Sequence, residues 1–600
     1  MAKIEHVVVV MLENRSFDNV LGWMQSGFPG TYSNPNPNDP SGPAIALQNL
    51  ASQTIGGAGA SYPGTMIPLL DPGELLGDMA QQFLGLESVP AKDPWTSTAD
   101  ANMQGFTNNY AAQIGSANEE NNSGDVMNYL TAEQLPVTAF LAQNYAICEQ
   151  WYASVPSQTF VNRLFAFCAA PSIIYGSPNY SAVNDLDHPA HVLSTLTPMA
   201  TVLDLPSICS QLDATLTNEV NWKVYFHDYS IAALTIPYIA SAARYNANVN
   251  VATFDTSDWG DALPTQLGAQ PTTFLDDVTN ANGGALSPFS FIEPRYSVGL
   301  APNPLPPNSN HPGPDAYGLK SIISDTDPSN PPIDATGGEL LLMQVYNLLI
   351  GSSYWDTTLL IITYDEPGGT YDHVPPSPMT PPGEVNLSPG PALLSPKLPV
   401  PAAQAPTSGD TAANGFGYGV SGGRVPAIIV SPLIEKGSVI APPGTTVFDH
   451  SSIVATVWDL MNLSPSSGRT SLTARDLAAP TLTSALNSTN STKAFSGTLV
   501  ACPSALFFNS KHVDPAAQTI LASAGPGGDL KITATPLVGP STKSTPTFKI
   551  STSVGTADVT AYSVEIKDCF LASDGTYTAT ITIDAGAAGT SSIAVTLYVS

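Results

Sequence analysis

The run Ile4–Leu12 (IEHVVVVML) leaves this chain little choice of fold. Its β-branched, apolar core has no polar face for an amphipathic helix or a half-exposed strand to present. That is the signature of a central parallel strand covered on both sides. It runs straight into the polar Glu13-Asn14-Arg15-Ser16-Phe17-Asp18, which suits a strand end and not an export signal. Two further buried strands are expected, Leu359–Thr363 (LLIIT) ending at Tyr364, and Arg424–Pro432 (RVPAIIVSP). Helical spacing of apolar residues appears over Thr131–Gln143, Gly338–Ile350 and Ser451–Met461. Strands alternating with helices predict a doubly wound, mostly parallel α/β sheet. Ligands of such sheets gather beyond the carboxyl ends of the strands, so polar residues directly after strands carry the most information.

Six hundred residues exceed what one core organises, so two domains are expected. The composition changes near residue 490. Residues 488–497 are rich in Ser and Thr, and 505–600 alternate with period two and show no helix. The clearest strands there are Thr576–Ile583 (TYTATITI) and Ile593–Val599 (IAVTLYV), joined by an Ala-Gly-rich turn. The division is therefore 1–490 as the large domain, 491–504 as linker and 505–600 as an all-β, Ig-like sandwich. Residues 30–65 read as a long surface excursion, and Pro-rich loops cover 375–408.

With 43% hydrophobic residues and no run of eighteen apolar ones, a globular protein without a membrane span is expected. Only 11% of residues are charged, 49 acidic against 19 basic, for a net charge of −30. Such a surface repels nucleic acid and anionic bilayers at neutral pH and discharges in acid. Few lysines and 55 prolines, with much Thr and Ser, suit an extracytoplasmic setting, secreted or periplasmic, although no export signal is visible in the chain. The five cysteines, Cys148, Cys168, Cys209, Cys502 and Cys569, are too few for a disulfide scaffold and too scattered for a zinc ribbon. One or two bridges or buried free thiols both remain open.

Three segments concentrate polar groups at strand ends: Glu13–Asp18, Thr159-Phe160-Val161-Asn162-Arg163, and Tyr364-Asp365-Glu366-Pro367-Gly368-Gly369-Thr370-Tyr371-Asp372-His373. Adjacent carboxylates at a strand terminus raise each other's pKa unless a cation neutralises them. Glu13 with Asn14, and Asp365 with Glu366, would supply hard oxygen ligands to one divalent ion. Gly368 and Gly369 let backbone pass close to a ligand. Each piece alone has a plainer reading, as a helix cap, a solvated turn or a structural threonine. Three such ends in one sheet do not arise easily by accident.

The segment from His6 to Asp18 closely resembles the opening of the bacterial phospholipase C/acid phosphatase family of phosphoesterases, a branch of the alkaline-phosphatase-like superfamily. Ser154-Val-Pro-Ser-Gln-Thr-Phe-Val-Asn-Arg-Leu-Phe165 looks like the family's nucleophile segment, and Asp365–Pro376 like its second acidic motif. Gly423–Pro432 and Phe448–Ile453 are similar to later motifs, so the resemblance runs in order over roughly residues 3–480. It implies that Glu13, Asn14, Asp365 and Glu366 bind one divalent cation of open identity, and that Thr159 is the nucleophile and touches the same ion. It implies that His311, in Asn-Ser-Asn-His311-Pro312, lies near the phosphate, with His227 as a second histidine. His373 falls in a family motif and is a further candidate, either catalytic or a support for its loop. Asn162 and Arg163 are candidate substrate donors, Arg163 having a partner carboxylate as its alternative. His450, beside Asp449, is expected to make a structural hydrogen bond, and His188, His191 and His512 to lie on the surface. One departure stands out. The family often carries a histidine shortly after an Asp-Pro upstream of the nucleophile, yet Asp93-Pro94 has none after it, and no histidine occurs between His6 and His188.

Cation-assisted attack by a threonine hydroxyl serves phosphodiesters and phosphomonoesters alike. Phospholipase C-like and acid phosphatase activities are therefore both expected readings, on a small-molecule or phospholipid ester, with transient contact at a membrane surface in the phospholipid case. Asp514–Gly525 and Gly575–Ile583 resemble bacterial Ig-like repeats of the BACON type, which implies either attachment to carbohydrate or cell surface, or a passive spacer. A reading of a different class is a non-catalytic surface or adhesion protein that uses the α/β domain as scaffold.

Overall fold

The structure is a computed structural model. It describes residues 3–599 apart from 55–60, 91–99, 115–122, 172–205, 229, 237, 240–250, 255–271, 297–304, 314–332, 384–415, 465–469, 516, 527, 541–544 and 554–558. Its large sheet contains, in chain order, β1 (His6–Leu12), β2 (Ala146–Ile147), β3 (Trp222–Phe226), β4 (Val251–Thr253), β5 (Phe289–Ile292), β6 (Thr358–Tyr364), β7 (Ala427–Val430) and β8 (Ser438–Val439). Their spatial order is β8-β2-β7-β6-β1-β5-β3-β4. Central β1 pairs in parallel with β5 (Val7 opposite Phe289, Val9 opposite Phe291) and with β6 (Val7 opposite Leu359, Leu12 opposite Tyr364). Val7 to Leu12 are all buried, as an unbroken apolar strand requires.

Residues 424–432 form a shorter strand than expected, β7, and it runs antiparallel to both β6 and β2. An apolar run fixes burial but not direction. The reversal has a consequence for the site, because it brings the segment before β7, with Arg424, to the edge where β1 and β6 end.

Four helices matter below: α1 (Pro136–Asn144), α2 (Thr159–Cys168), α3 (Thr336–Ile350) and α4 (Ser451–Leu460). Helix α2 packs on α4, and α1 on α3. The pattern from Thr131 suggests an earlier start for α1, but Pro136 opens it, and residues 131–135 form a turn through Gln134 and Leu135 N–H bonds to the Thr131 carbonyl. Proline has no N–H to donate and suits the first helical position. The start of α1 is capped from elsewhere. Buried Glu339, in the first turn of α3, accepts from Val137 N (2.6 Å), Thr138 N (3.1 Å) and the Thr138 hydroxyl.

Beyond the sheet domain lie β9 (Val500–Cys502), β10 (Ala505–Ser510), β11 (Gln518–Ser523), β12 (Lys531–Ala534), β13 (Thr547–Ser553), β14 (Thr560–Lys567), β15 (Gly575–Asp584) and β16 (Thr590–Val599). They make two four-stranded sheets, β9-β11-β14-β13 and β10-β16-β15-β12, antiparallel except where β10 joins β16. Alternate residues Tyr577, Ile581 and Ile583 of β15 and Ile593, Val595 and Leu597 of β16 enter one apolar core with Ile520, Val564 and Ile566. This is the period-two pattern turned into a sandwich.

The Ser/Thr-rich segment between the two parts is bound down along its length. Asn490 N donates to Pro432 O, Tyr346 Oη to Lys493 O (2.8 Å), and Asn347 Nδ2 to Phe495 O (3.0 Å). Phe495 is buried in the main core. A second seam joins the sandwich to the excursion after residue 50: Tyr62 stacks on Phe507 (4.4 Å between centroids), with Met66, Ile67, Leu69 and Ala505 around them. All five cysteines are free and buried. No helix among the described residues is long and apolar enough to cross a membrane.

Burial pushes the Glu339 carboxyl up from its ordinary 4.5 to about 7, against the pull of the hydrogen bonds it accepts from α1. The folded state is then the stronger proton binder. The associated stability is complete below about pH 4.5 and is lost as the pH rises through about 7. Glu339→Gln, which keeps an acceptor for the α1 cap, is expected to remove on the order of 3 kcal/mol of pH dependence between those limits. Urea unfolding at pH 4.5 and pH 7.5 checks this; an unchanged difference between the two pH values counts against it.

Candidate active site

Parallel β1 and β6 end side by side, which delivers Glu13-Asn14 and Asp365-Glu366 to one place. The chain leaves β1 by a sharp turn at Asn14, in the left-handed region at φ +57°. Glu13 N donates to Ser309 O (2.8 Å) and Asn14 N to Asp365 Oδ1 (3.1 Å). All four side chains are buried. The two glycines do what close approach demands. A Cβ on Gly368 (φ +57°) would lie 2.1 Å from Asn14 O, and one on Gly369 (φ +62°) 2.6 Å from Pro72 Cβ.

Thr159 is the first residue of α2 and is buried. Four residues on, and so on the same helical face, Arg163 donates through Nε to Asp365 Oδ2 (3.1 Å) and sets Nη2 3.9 Å from Glu13 Oε1. Arg163 Nη2 also donates to Met11 O and Leu12 O, which ties α2 to the end of β1. Burial alone would lower this guanidinium; the fields of Tyr296, Asp365 and Glu13 hold it above its ordinary value. Asn162 is occupied locally. It accepts from Val155 N (3.0 Å) and donates to Val155 O, Ser157 O and Gln158 O, shaping the turn before Thr159. Both residues read from sequence as substrate donors thus direct their hydrogen bonds into the protein.

His311 is at the site. Its Nδ1 is 2.6 Å from Pro312 O, a pure acceptor, so Nδ1 carries the proton and Nε2 presents its lone pair. That lone pair faces Asn14 Nδ2 at 3.0 Å, and burial lowers the pKa of the ring. His227 follows β3 at the same sheet edge, buried edge-on to Phe254 (4.6 Å), and burial and then Arg295 depress it well below its ordinary value. His373 sits in a clasp: its Nδ1 lies 2.7 Å from Asp18 Oδ2, and its ring stacks on Tyr32 at 4.2 Å. Arg424 bridges Asp18 (2.9 Å) and Asp372 (3.0 Å), and Ser16 bonds Thr370 and Tyr371, so the second halves of the two acidic motifs lock to each other. His450 donates from Nε2 to Asp365 O (2.6 Å), the structural bond expected of it. His512 is exposed beside Asp574, while His188 and His191 lie outside the described residues.

Sequence reasoning missed four contributors: Glu74, Asp71, Arg15 and Arg475. Glu74 accepts from Asn14 Nδ2 (2.5 Å) and, with Asp71 and His311, forms a cluster of donor atoms within 4.8 Å of one another. Asp93-Pro94 lies outside the described residues, but another Asp-Pro, Asp71-Pro72, reaches the site, and the residue it brings there is the carboxylate Glu74. The Asp-Pro-Gly sequence was the available signal. Arg15 donates to Asn310 O (2.8 Å) and Ile67 O (2.9 Å), holding both flanking loops to β1. Arg475 holds Asp449 (2.9 Å) and Ser154 O (2.6 Å), bracing the turn before Thr159.

The donor set suits a hard cation. Burial raises the carboxyls of Glu74 and Glu366, reinforced by Asp71 and Asp365 for Glu74 and by Glu74 and Asp365 for Glu366. Buried Asn14 Oδ1 and Glu366 Oε1 have no hydrogen-bond donor among the described residues. Oxygens crowded and desolvated in this way are stabilised by a divalent ion.

Residues 4–464 match the phosphoesterase family. The chain belongs to that family. It is 28% identical over 473 residues to non-specific phospholipase C6 of Arabidopsis thaliana, covering 77% of this chain and 68% of that one. It is 26% identical over 464 residues to phospholipase C B of Mycobacterium tuberculosis, covering 75% and 71%. The match ends before the sandwich. Every polar strand end described above falls within it.

Gly368→Ala should cost about 1–3 kcal/mol from left-handed strain alone, with a further penalty for the contact with Asn14 O. Gly417→Ala, where a Cβ meets nothing within 4 Å, should stay within about 0.5 kcal/mol of wild type. Urea midpoints of the two variants compare them; equal midpoints contradict the close approach.

Proposed function

We propose that this phosphoesterase hydrolyses phosphate esters in the manner of a phospholipase C, with Thr159 as nucleophile and one divalent cation held by Glu13, Asn14, Asp365 and Glu366. The observation that carries the reading is the single network from Asn14 N through Asp365 to Arg163, which joins both acidic strand ends to the helix that Thr159 begins. The cation's chemistry is to stabilise the threonine alkoxide and withdraw charge from the phosphoryl oxygens. The protein does the rest. Placing Thr159 at the positive end of a ten-residue helix favours both the alkoxide and the phosphate. The Thr159 oxygen bonds to phosphorus as the ester oxygen departs, and the alcohol leaves with the proton that the hydroxyl gave up. Water then opens the phosphothreonine and restores the hydroxyl. Arg163 pairs with Asp365 and sits beside Glu13, Asn162 fixes the turn that aims Thr159, and His311 offers an acceptor through Nε2. His227, farther along the same edge, is a residue for the substrate's periphery.

The names of the relatives support a phospholipid substrate, and the acidic surface favours a zwitterionic headgroup over an anionic one. The Lys-poor, Thr- and Pro-rich composition supports action outside the cytoplasm.

Thr159→Ala should lower kcat/KM by roughly a thousandfold or more while the melting temperature stays near wild type. Activity on p-nitrophenyl phosphorylcholine beside p-nitrophenyl phosphate, over pH 3–8, separates the diesterase from the phosphatase. Chelation should abolish turnover, and added Mn2+ restore it. Undiminished activity in Thr159→Ala removes the nucleophile assignment, and a metal-loaded wild type inert on both esters favours a scaffold.

A further inference from the structure

We propose that Asp71, Glu74 and His311 form a second divalent-cation site beside the one assigned to Glu13, Asn14, Asp365 and Glu366, so that the centre works with two cations. The inference rests on the reading of the first site and extends it.

Three observations carry it. The first is geometric: one ligand atom from each of Asp71, Glu74 and His311 lies within 4.8 Å of the others, and His311 Nε2 is 3.9 Å from Asp71 Oδ1. Ligand atoms about 2.0–2.4 Å from one ion stand no more than about 4.8 Å apart, so these spans are compatible with a shared ion. The second is the state of His311. Its Nδ1–H is committed to Pro312 O, which orients the ring and leaves Nε2 unprotonated toward the cluster, the arrangement that metal-binding histidines use. Asn14 Nδ2 now stands between Nε2 (3.0 Å) and Glu74 Oε2 (2.5 Å), a donor attracted by the same two lone pairs that a cation would use. The third is Glu366. It is fully buried and lies against Glu74, and its Oε1 has no donor among the described residues.

Charge balance favours the same conclusion. The connected cluster holds five carboxylates, Glu13, Asp71, Glu74, Asp365 and Glu366, against the guanidiniums of Arg163 and Arg15. With all five ionised, one dication still leaves the cluster negative, and the substrate's phosphate adds one or two charges more. A second dication turns a site that repels phosphate into one that attracts it. Two carboxylate oxygens with one imidazole nitrogen suit Mn2+ or Zn2+ better than Ca2+.

The test uses the full chain, stripped with chelator and reloaded with Mn2+. Metal content after gel filtration and calorimetric titration should give two Mn2+ per wild-type chain, with an exchange-coupled signal in electron paramagnetic resonance. Glu74→Gln and Asp71→Asn should each bind one, lose the coupled signal and keep wild-type circular dichroism. A wild type that binds one Mn2+ and is fully active overturns the second site and leaves the first intact; the buried Glu74–Glu366 pair then shares a proton. Two Mn2+ retained in both variants also overturns it. A wild type that binds none removes the first site as well.

Discussion

Carboxylates buried beside one another repel, and the architecture around the two acidic strand ends is arranged to hold them there. Parallel pairing of β1 with β6 sets where they emerge, and β-branched residues buried on both faces keep that pairing in register. Few basic residues exist to balance them, 19 in all. Four of the arginines are fully buried here. Each joins segments distant in sequence: Arg15 the loops at 67 and 310, Arg163 the strand ends, Arg424 the Asp18 and Asp372 turns, Arg475 the turns at 154 and 449. Breaking one such pair strands a buried charge, which costs far more than a surface ion pair. The arginines therefore act as rivets as well as counter-charges.

Much of this was legible in the sequence, for physical reasons. Runs without a polar face, such as residues 7–12 and 359–363, can only be central strands, and period two in 576–583 and 593–599 can only serve a one-sided sheet. Polar residues placed directly after such strands mark a site, so Glu13, Asn14, Asp365 and Glu366 stand out from the text alone. What stayed hidden depends on tertiary arrangement. The direction of β7 leaves no trace in its apolar residues, so the arrival of Arg424 at the site could not be foreseen. Glu74 follows a proline-glycine turn and precedes an amphipathic helix, which looks like a solvated helix start until the loop folds onto Asn14. Asn162 has the composition of a ligand-binding residue, yet its amide is used to shape a turn, a use that only coordinates reveal.

Two histidines of the same motif region also illustrate the difference between a motif and a role. His373 and His450 lie in or beside the acidic and later motifs, and both make hydrogen bonds that hold loops, one to Asp18 and one to the Asp365 carbonyl. His311, in a weaker context, turns its Nε2 toward Asn14 and Asp71 at the site. Proximity in sequence to a functional residue selects for support at least as often as for chemistry.

The stacking of Tyr62 on Phe507 bears on how the two parts of the chain are related. The strip from Tyr62 to Leu69 lies against the first full strand of the sandwich, and only two residues later the chain supplies Asp71 to the cluster it forms with Glu74 and His311. The sandwich is thus a retaining wall for one of the loops that shape the centre. Grafted onto another enzyme, it would carry away an apolar face made for this one partner, and the catalytic half left behind would be exposed on the side where its anionic loop is seated.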